Sequence, residues 1–256
     1  MMTSARRIGP SSRNSSGASR VGLVLMAAAA LLGVVLIAAN RDALPGGTPG
    51  GTAQPAEVTG SAPSTAGSAR QLLDTLAVKG RAPRTGYQRA NFGPAWADVD
   101  HNGCDTRNDV LARDLTEETF RAGTQNCVVL SGLLRDPYTD RTLRFAKRDA
   151  GAVQIDHVVS LSNAWQTGAQ GLSAARRLAL ANDPLNLLAV DGPTNQAKSD
   201  GDAATWLPPS RAAWCPMVAR QIAVKAAYGL WVTSAERDAM VRVLGGCPGQ
   251  GLPVGR

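Results

Sequence analysis

The chain has 256 residues, 44% of them hydrophobic, and a formal net charge of +7. Four of its 27 basic residues, Arg6, Arg7, Arg13 and Arg20, precede residue 21, and no acid occurs in residues 1–40, so the rest carries 23 basic against 20 acidic groups, a net of +3. A weakly cationic domain can bind nucleic acid through a local patch, but its overall charge does not demand it. The first 68 residues cannot build a core, so one folded domain is expected.

Residues 1–20 form a basic tail. Residues 21–39 are an uncharged apolar run behind the four arginines, which predicts a transmembrane signal-anchor or a long signal peptide. No good Ala-x-Ala cleavage pattern surrounds Ile37-Ala38-Ala39-Asn40, which favours the anchor. The arginines place the N-terminus inside and the remainder on the extracellular side, as a tethered or secreted protein. Residues 40–68, rich in Gly, Pro, Ser, Thr and Ala, read as a linker.

The folded domain is expected over residues 69–256. Leu72, Leu73 and Leu76 recur at helical spacing, with Gly80 as the expected stop. Residues 106–115 predict a helix and 127–134 a strand. A turn at Asp136-Pro137-Tyr138-Thr139-Asp140 returns a second strand over 141–145. A run of β-formers around residues 153–159 follows, then two short helices within 162–181, broken at Gly168 and Gly171. A strand over 187–190 precedes a short helix beginning near Pro193-Thr194. Helices over 217–228 and 235–244 close the domain, with Ser234 as the expected N-cap.

All four cysteines, Cys104, Cys127, Cys215 and Cys247, lie on the exported side, where thiols tend to be oxidised. Three pairings are possible. Cys104–Cys127 with Cys215–Cys247 is favoured because each closes a short loop. No Cys-x-x-Cys spacing points to zinc instead.

The chemistry-bearing residues sit in the second half. Asp156 and His157 stand together on the 153–159 run, Asn186 lies in Asp183-Pro184-Leu185-Asn186-Leu187, and Asn195 lies in Thr194-Asn195-Gln196-Ala197-Lys198. A metal-assisted phosphodiesterase needs a base for water and hard oxygen ligands for a divalent ion. This order resembles the HNH, or His-Me finger, nucleases. With Trp96-Ala97-Asp98, Gly103-Cys104-Asp105-Thr106-Arg107-Asn108 and Trp206-Leu207-Pro208-Pro209, it is similar to a secreted type related to the C-terminal domain of the GmrSD restriction endonucleases, over roughly residues 70–247. The third position of the name is Asn195 rather than histidine.

The resemblance implies an α+β fold, a ββα-metal finger embedded in a small, largely helical, disulfide-bonded domain. It implies hydrolysis of DNA or RNA, with His157 as base, and Asp156 and Asn195 as ligands to Mg²⁺ or Mn²⁺. Asn186 would hold the hairpin, and Lys198, expected on an exposed helix, would face a phosphate. Nucleic acid is then the partner, the membrane a second one if the N-terminal segment stays attached, and no protein partner is expected. Neighbours on a strand point to opposite faces, so Asp156 and His157 reach one metal only where the strand bends or ends; the resemblance implies such a bend.

The rival of a different class is a non-catalytic extracellular calcium-binding or interaction module. Asp98, Asp100, Asn102 and Gly103, with Asp109 at the twelfth position, match much of a calcium-loop pattern. A turn whose acids cap the next helix accounts for the same residues. An envelope-directed metal hydrolase is a further enzymatic reading. Arg135, Arg141, Arg144, Lys147 and Arg148 crowd the approach to the Asp-His pair, diluted by Asp136, Asp140 and Asp149.

Overall fold

The structure, a computed structural model, describes residues 68–253. The basic tail, the apolar run and residues 40–67 of the expected linker lie outside the described residues. Among the described residues seven α-helices and five strands follow in the order α1 (Ala69–Thr75), α2 (Thr106–Asp114), β1 (Leu115–Phe120), β2 (Val129–Arg135), β3 (Thr142–Ala146), β4 (Val153–His157), α3 (Leu161–Gln166), α4 (Ala174–Asn182), β5 (Leu187–Asp191), α5 (Gly192–Lys198), α6 (Trp214–Tyr228) and α7 (Ser234–Gly245). Helices and sheets are mixed along the chain, as the α+β reading expects.

Two antiparallel sheets form. One has the order β1-β2-β3, and the other pairs β4 with β5 from Val153 opposite Asp191 to His157 opposite Leu187. Helix α2 and both sheets share an apolar core that includes Val110, Leu111, Phe145, Ile155 and Leu187. A second core joins α1, α6 and α7 through Leu73, Ile222 and Met240. A third packs α3 and α4 on α6 through Trp165, Leu180 and Val224. Burial of these apolar side chains at about 25 cal/mol per Å² is the main stabilising term.

Several boundaries differ from expectation. Helix α1 stops at Thr75, well short of Gly80: Leu76 turns extended, and Val78 then bridges Val232, so a strand-like contact takes over before the glycine is reached. Ser68, expected in the linker, is instead the N-cap of α1, completing a capping box with Gln71. Thr233, not Ser234, caps α7, in a second box with Glu236. Strand β1 was not expected. Its partner β2 carries Gly132, where an added Cβ would lie 3.1 Å from Leu115 and from the Thr116 carbonyl oxygen, so β1 needs that glycine to lie close.

Both disulfides form as expected, Cys104–Cys127 with Cα atoms 5.0 Å apart and Cys215–Cys247 with Cα atoms 6.5 Å apart. Among the described residues no helix is long and apolar enough to cross a membrane.

Candidate active site

Strand β4 carries the Asp-His pair, and β5 leads directly into α5. Asp191 ends β5 and caps α5 by accepting from the Thr194 amide at 2.9 Å, while Pro193 occupies the first turn, where its missing N–H costs nothing. Gly192 is required here, because an added Cβ would run into the Gly151 carbonyl oxygen. The helix is thereby laid across one face of β4. From it Asn195 Nδ2 donates to Gln154 Oε1 at 3.0 Å, and Lys198 Nζ donates to Asp156 Oδ1 and to the His157 carbonyl, both at 2.9 Å. Gln154 and Asp156 are two residues apart and share that face.

Asp156 is 4% exposed, and both its oxygens are engaged: Oδ1 by Lys198 and Oδ2 by the Tyr138 hydroxyl, which donates at 2.6 Å. Burial pushes the Asp156 carboxyl above its ordinary value, while the Lys198 charge and the two hydrogen bonds pull it back. The Tyr138 phenol is itself buried and raised, by desolvation first and by the facing carboxylate second. Lys198 is a correction to the sequence reading, since it is buried rather than displayed to a phosphate.

His157 meets other partners. It is 7% exposed, its ring stacks on Trp96 with centroids 6.1 Å apart and planes 16° apart, and Nε2 lies 2.9 Å from the Ala181 carbonyl oxygen. A carbonyl only accepts, so Nε2 carries the proton and Nδ1 the lone pair. Burial drives the imidazole down to about 3, with Arg89 and Lys198 pushing the same way and the Ala181 carbonyl opposing. The ring is therefore neutral at physiological pH. It lines a pocket of about 290 Å³ with Arg89, Phe92, Trp96, Leu161 and Asn182.

Asn186 is fully buried. Its Oδ1 accepts from the Val159 amide at 2.8 Å, and its Nδ2 donates to the carbonyls of Val159 and Leu180 at 3.3 and 3.2 Å. It joins the end of β4, the start of β5 and the end of α4, next to the Ala181 carbonyl that orients His157. These bonds tie the three segments together through one side chain.

The structure thus brings Asp156, Lys198 and Asn195 to one face of β4 and sends His157 to the other. Pairing stays regular through His157, with no bend to turn both side chains to one point. Elsewhere, Asp98 accepts from the amides of Asn102 and Gly103 at 3.1 and 3.0 Å, and Asn102 Nδ2 donates to Asp100 and Asp109 at 3.1 and 3.2 Å. The four residues converge through hydrogen bonds within their own loop. Among the described residues no three His, Cys, Asp or Glu side chains are grouped to hold a metal ion. Arg135 is paired with Asp140 at 2.7 Å. Sequence reasoning passed over Tyr138, Trp96 and Asn182 as site residues: the Asp156 and His157 side chains that Tyr138 and Trp96 meet are distant in the chain, and nothing near Asn182 in the sequence marks it as lining the pocket.

The family of C-terminal domains of GmrSD restriction endonucleases matches residues 105–243, more than half of the chain. The chain belongs to the GmrSD C-terminal domain family. An uncharacterized secreted protein of Arthroderma benhamiae is 39% identical to it over 184 residues, 71% of this chain and 86% of that protein. No solved structure matches it. In this GmrSD C-terminal domain, the divalent ion that the HNH resemblance implies would lie between Asp156 and Asn195. The donor set does not fit it as arranged: both Asp156 oxygens are taken, by Lys198 and Tyr138, Asn195 is engaged only through Nδ2, with Gln154, and the ammonium of Lys198 already supplies a positive charge there.

Proposed function

We propose that the domain is an exported nuclease that hydrolyses phosphodiester bonds, with His157 as its general base. The observation that carries this reading is the bond from His157 Nε2 to the Ala181 carbonyl oxygen, which leaves Nδ1 with the lone pair on a ring that lines a pocket. Membership of a family of restriction endonuclease domains supports the reaction class. The chain order β4, β5, α5, with α5 laid on β4, supports the finer reading of a ββα finger, interrupted by α3 and α4.

In this reading Nδ1 accepts a proton from water as its oxygen attacks phosphorus, and the bond to the leaving oxygen breaks. The Ala181 carbonyl holds the ring in the required tautomer. Arg89, exposed on the rim of the same pocket, is the cation available to the phosphate. Asn186 acts through the loop it ties. Lys198 and Asp156 act on the orientation of β4 rather than on substrate. Export is supported by the four paired cysteines and by the printed name of the fungal relative.

The test is incubation of the full chain with plasmid DNA and with RNA, under Mg²⁺, Mn²⁺ or a chelator. Cleavage that falls about 10² to 10⁴-fold in His157→Ala is the expected result. Absence of cleavage of any nucleic acid overturns the reading, and the chelator arm decides whether a metal takes part.

A further inference from the structure

We propose that the pocket over His157 takes one unpaired nucleobase, so that the substrate is single-stranded or locally unpaired nucleic acid. This rests on the nuclease reading and narrows it. His157 is 7% exposed and lines this pocket, so the part of the substrate that approaches the imidazole passes between the pocket's walls. Those walls are Phe92, Pro94, Trp96 and Leu161. A phosphate entering between them would meet one cation, Arg89, among apolar neighbours, whereas a base keeps its apolar faces against apolar walls. At about 290 Å³ the space is at the small end of ligand pockets, the size for one ring system rather than a base pair.

Polar groups at the pocket complete the match. Asn182 is 1% exposed, its Nδ2 donates to the Leu178 carbonyl of its own helix at 2.9 Å, and its Oδ1 has no partner. A buried amide oxygen without a donor is costly, and it calls for an N–H. Each nucleobase carries at least one N–H on its edge. Trp96 is held at a φ of +57°, a backbone region a bulky residue rarely adopts, and keeps an aromatic surface partly open at the pocket. Arg89 at the rim suits the phosphate that follows the base. A base inside a duplex reaches such a pocket only after leaving its stack and its pair, which costs a few kcal/mol and is smallest for a strand already unpaired.

The test uses the full chain and a 2-aminopurine oligonucleotide, single-stranded or annealed to its complement, read by fluorescence change, dissociation constant and cleavage rate. Single strands are expected to bind at least about tenfold tighter than the duplex and to be cleaved faster. Trp96→Leu is expected to weaken single-strand binding about 5- to 150-fold, the range for loss of one base–aromatic stack, while Trp96→Phe retains most of it. Asn182→Leu removes the acceptor without using the tryptophan and should also lower single-strand affinity. Equal binding and cleavage of duplex and single strand overturns the proposal while leaving the nuclease reading intact. So does single-strand binding unchanged in folded Trp96→Leu and Asn182→Leu. Tight, Trp96-dependent single-strand binding without cleavage of any nucleic acid supports the pocket and sinks the nuclease reading.

Discussion

Lys198 Nζ stands 2.9 Å from Asp156 Oδ1 and 2.9 Å from the His157 carbonyl oxygen, so one buried ammonium fastens α5 to the last two residues of β4. Breaking such a pair leaves a charge without water or partner, at a cost of about 3–5 kcal/mol. Lys198→Met and Asp156→Leu should each lose about that much, read as a shift in denaturant midpoint, and the double variant should recover part of it. With the ammonium gone, the Asp156 carboxylate is open to a cation, so Mn²⁺ should raise the melting temperature of Lys198→Met more than that of the unmodified chain. Single variants within about 0.5 kcal/mol of the parent would remove the pair from this account.

The depressed value of His157 makes stability depend on pH. Its folded value of about 3 lies below the ordinary 6.5, so between those limits the unfolded chain takes up a proton that the fold refuses. Stability should therefore fall as pH drops through this window, by about 2 kcal/mol between pH 7 and pH 5 from this group alone. Urea unfolding of the parent and of His157→Asn isolates the effect, because the variant lacks this proton. For the same reason the acid limb of cleavage should lie well below pH 6.5. A limb at the ordinary histidine value would mean that His157 is solvated during turnover.

Asn186→Ala should destabilise by about 2–4 kcal/mol, since it takes the side-chain partner from three interior backbone groups at once. Cleavage should fall as well, because the Leu180 carbonyl that Asn186 holds is next to the Ala181 carbonyl that orients His157. Asn186→Asp turns an oxygen toward two carbonyls and should rescue little. A midpoint unchanged in Asn186→Ala would contradict the loop-holding role.

The disulfides are separable. Cys104–Cys127 ties the Asp98 loop to the start of β2, and Cys215–Cys247 ties the first turn of α6 to the residues after α7. Each closes a loop that contributes about 3 kcal/mol by restricting the unfolded chain. Mass measurement should find no free thiol in protein from its native compartment, and replacing either pair with serine should lower the melting temperature. Four free thiols in that material would defeat the export argument.

Much of this fold was legible from pattern. Helices α2, α6 and α7 and the β2–β3 hairpin show their periodicity, and Asp183-Pro184 and Pro193 mark both ends of β5. What escaped was set by distance in the chain. Strand β1 has too few apolar residues to announce itself and exists because β2 offers it Gly132. Lys198 looked solvated, since nothing nearby in the sequence reveals that Asp156 and a main-chain carbonyl wait on β4. The Asp-His pair was legible as chemistry but not as geometry: the alternation of strand side chains, which argued against a shared metal, agrees with the two faces found here. Tyr138 was read only as part of a turn, and its hydroxyl meets Asp156 across the interior.

Ser68 bridges Gly251, and the Ala69 amide donates to the Gln250 carbonyl at 2.9 Å. The first and last described elements therefore meet, and the domain's connectivity is nearly cyclic. A short bridge between those ends would let the chain be opened elsewhere, for instance at the exposed Gly123 turn between β1 and β2, with each sheet and both apolar cores of the helices assembled from the same neighbours. In such a permutant the attachment point of any flanking segment would move to the Gly123 turn, inside the Cys104–Cys127 loop, so position in the sequence and position on the surface become independent variables.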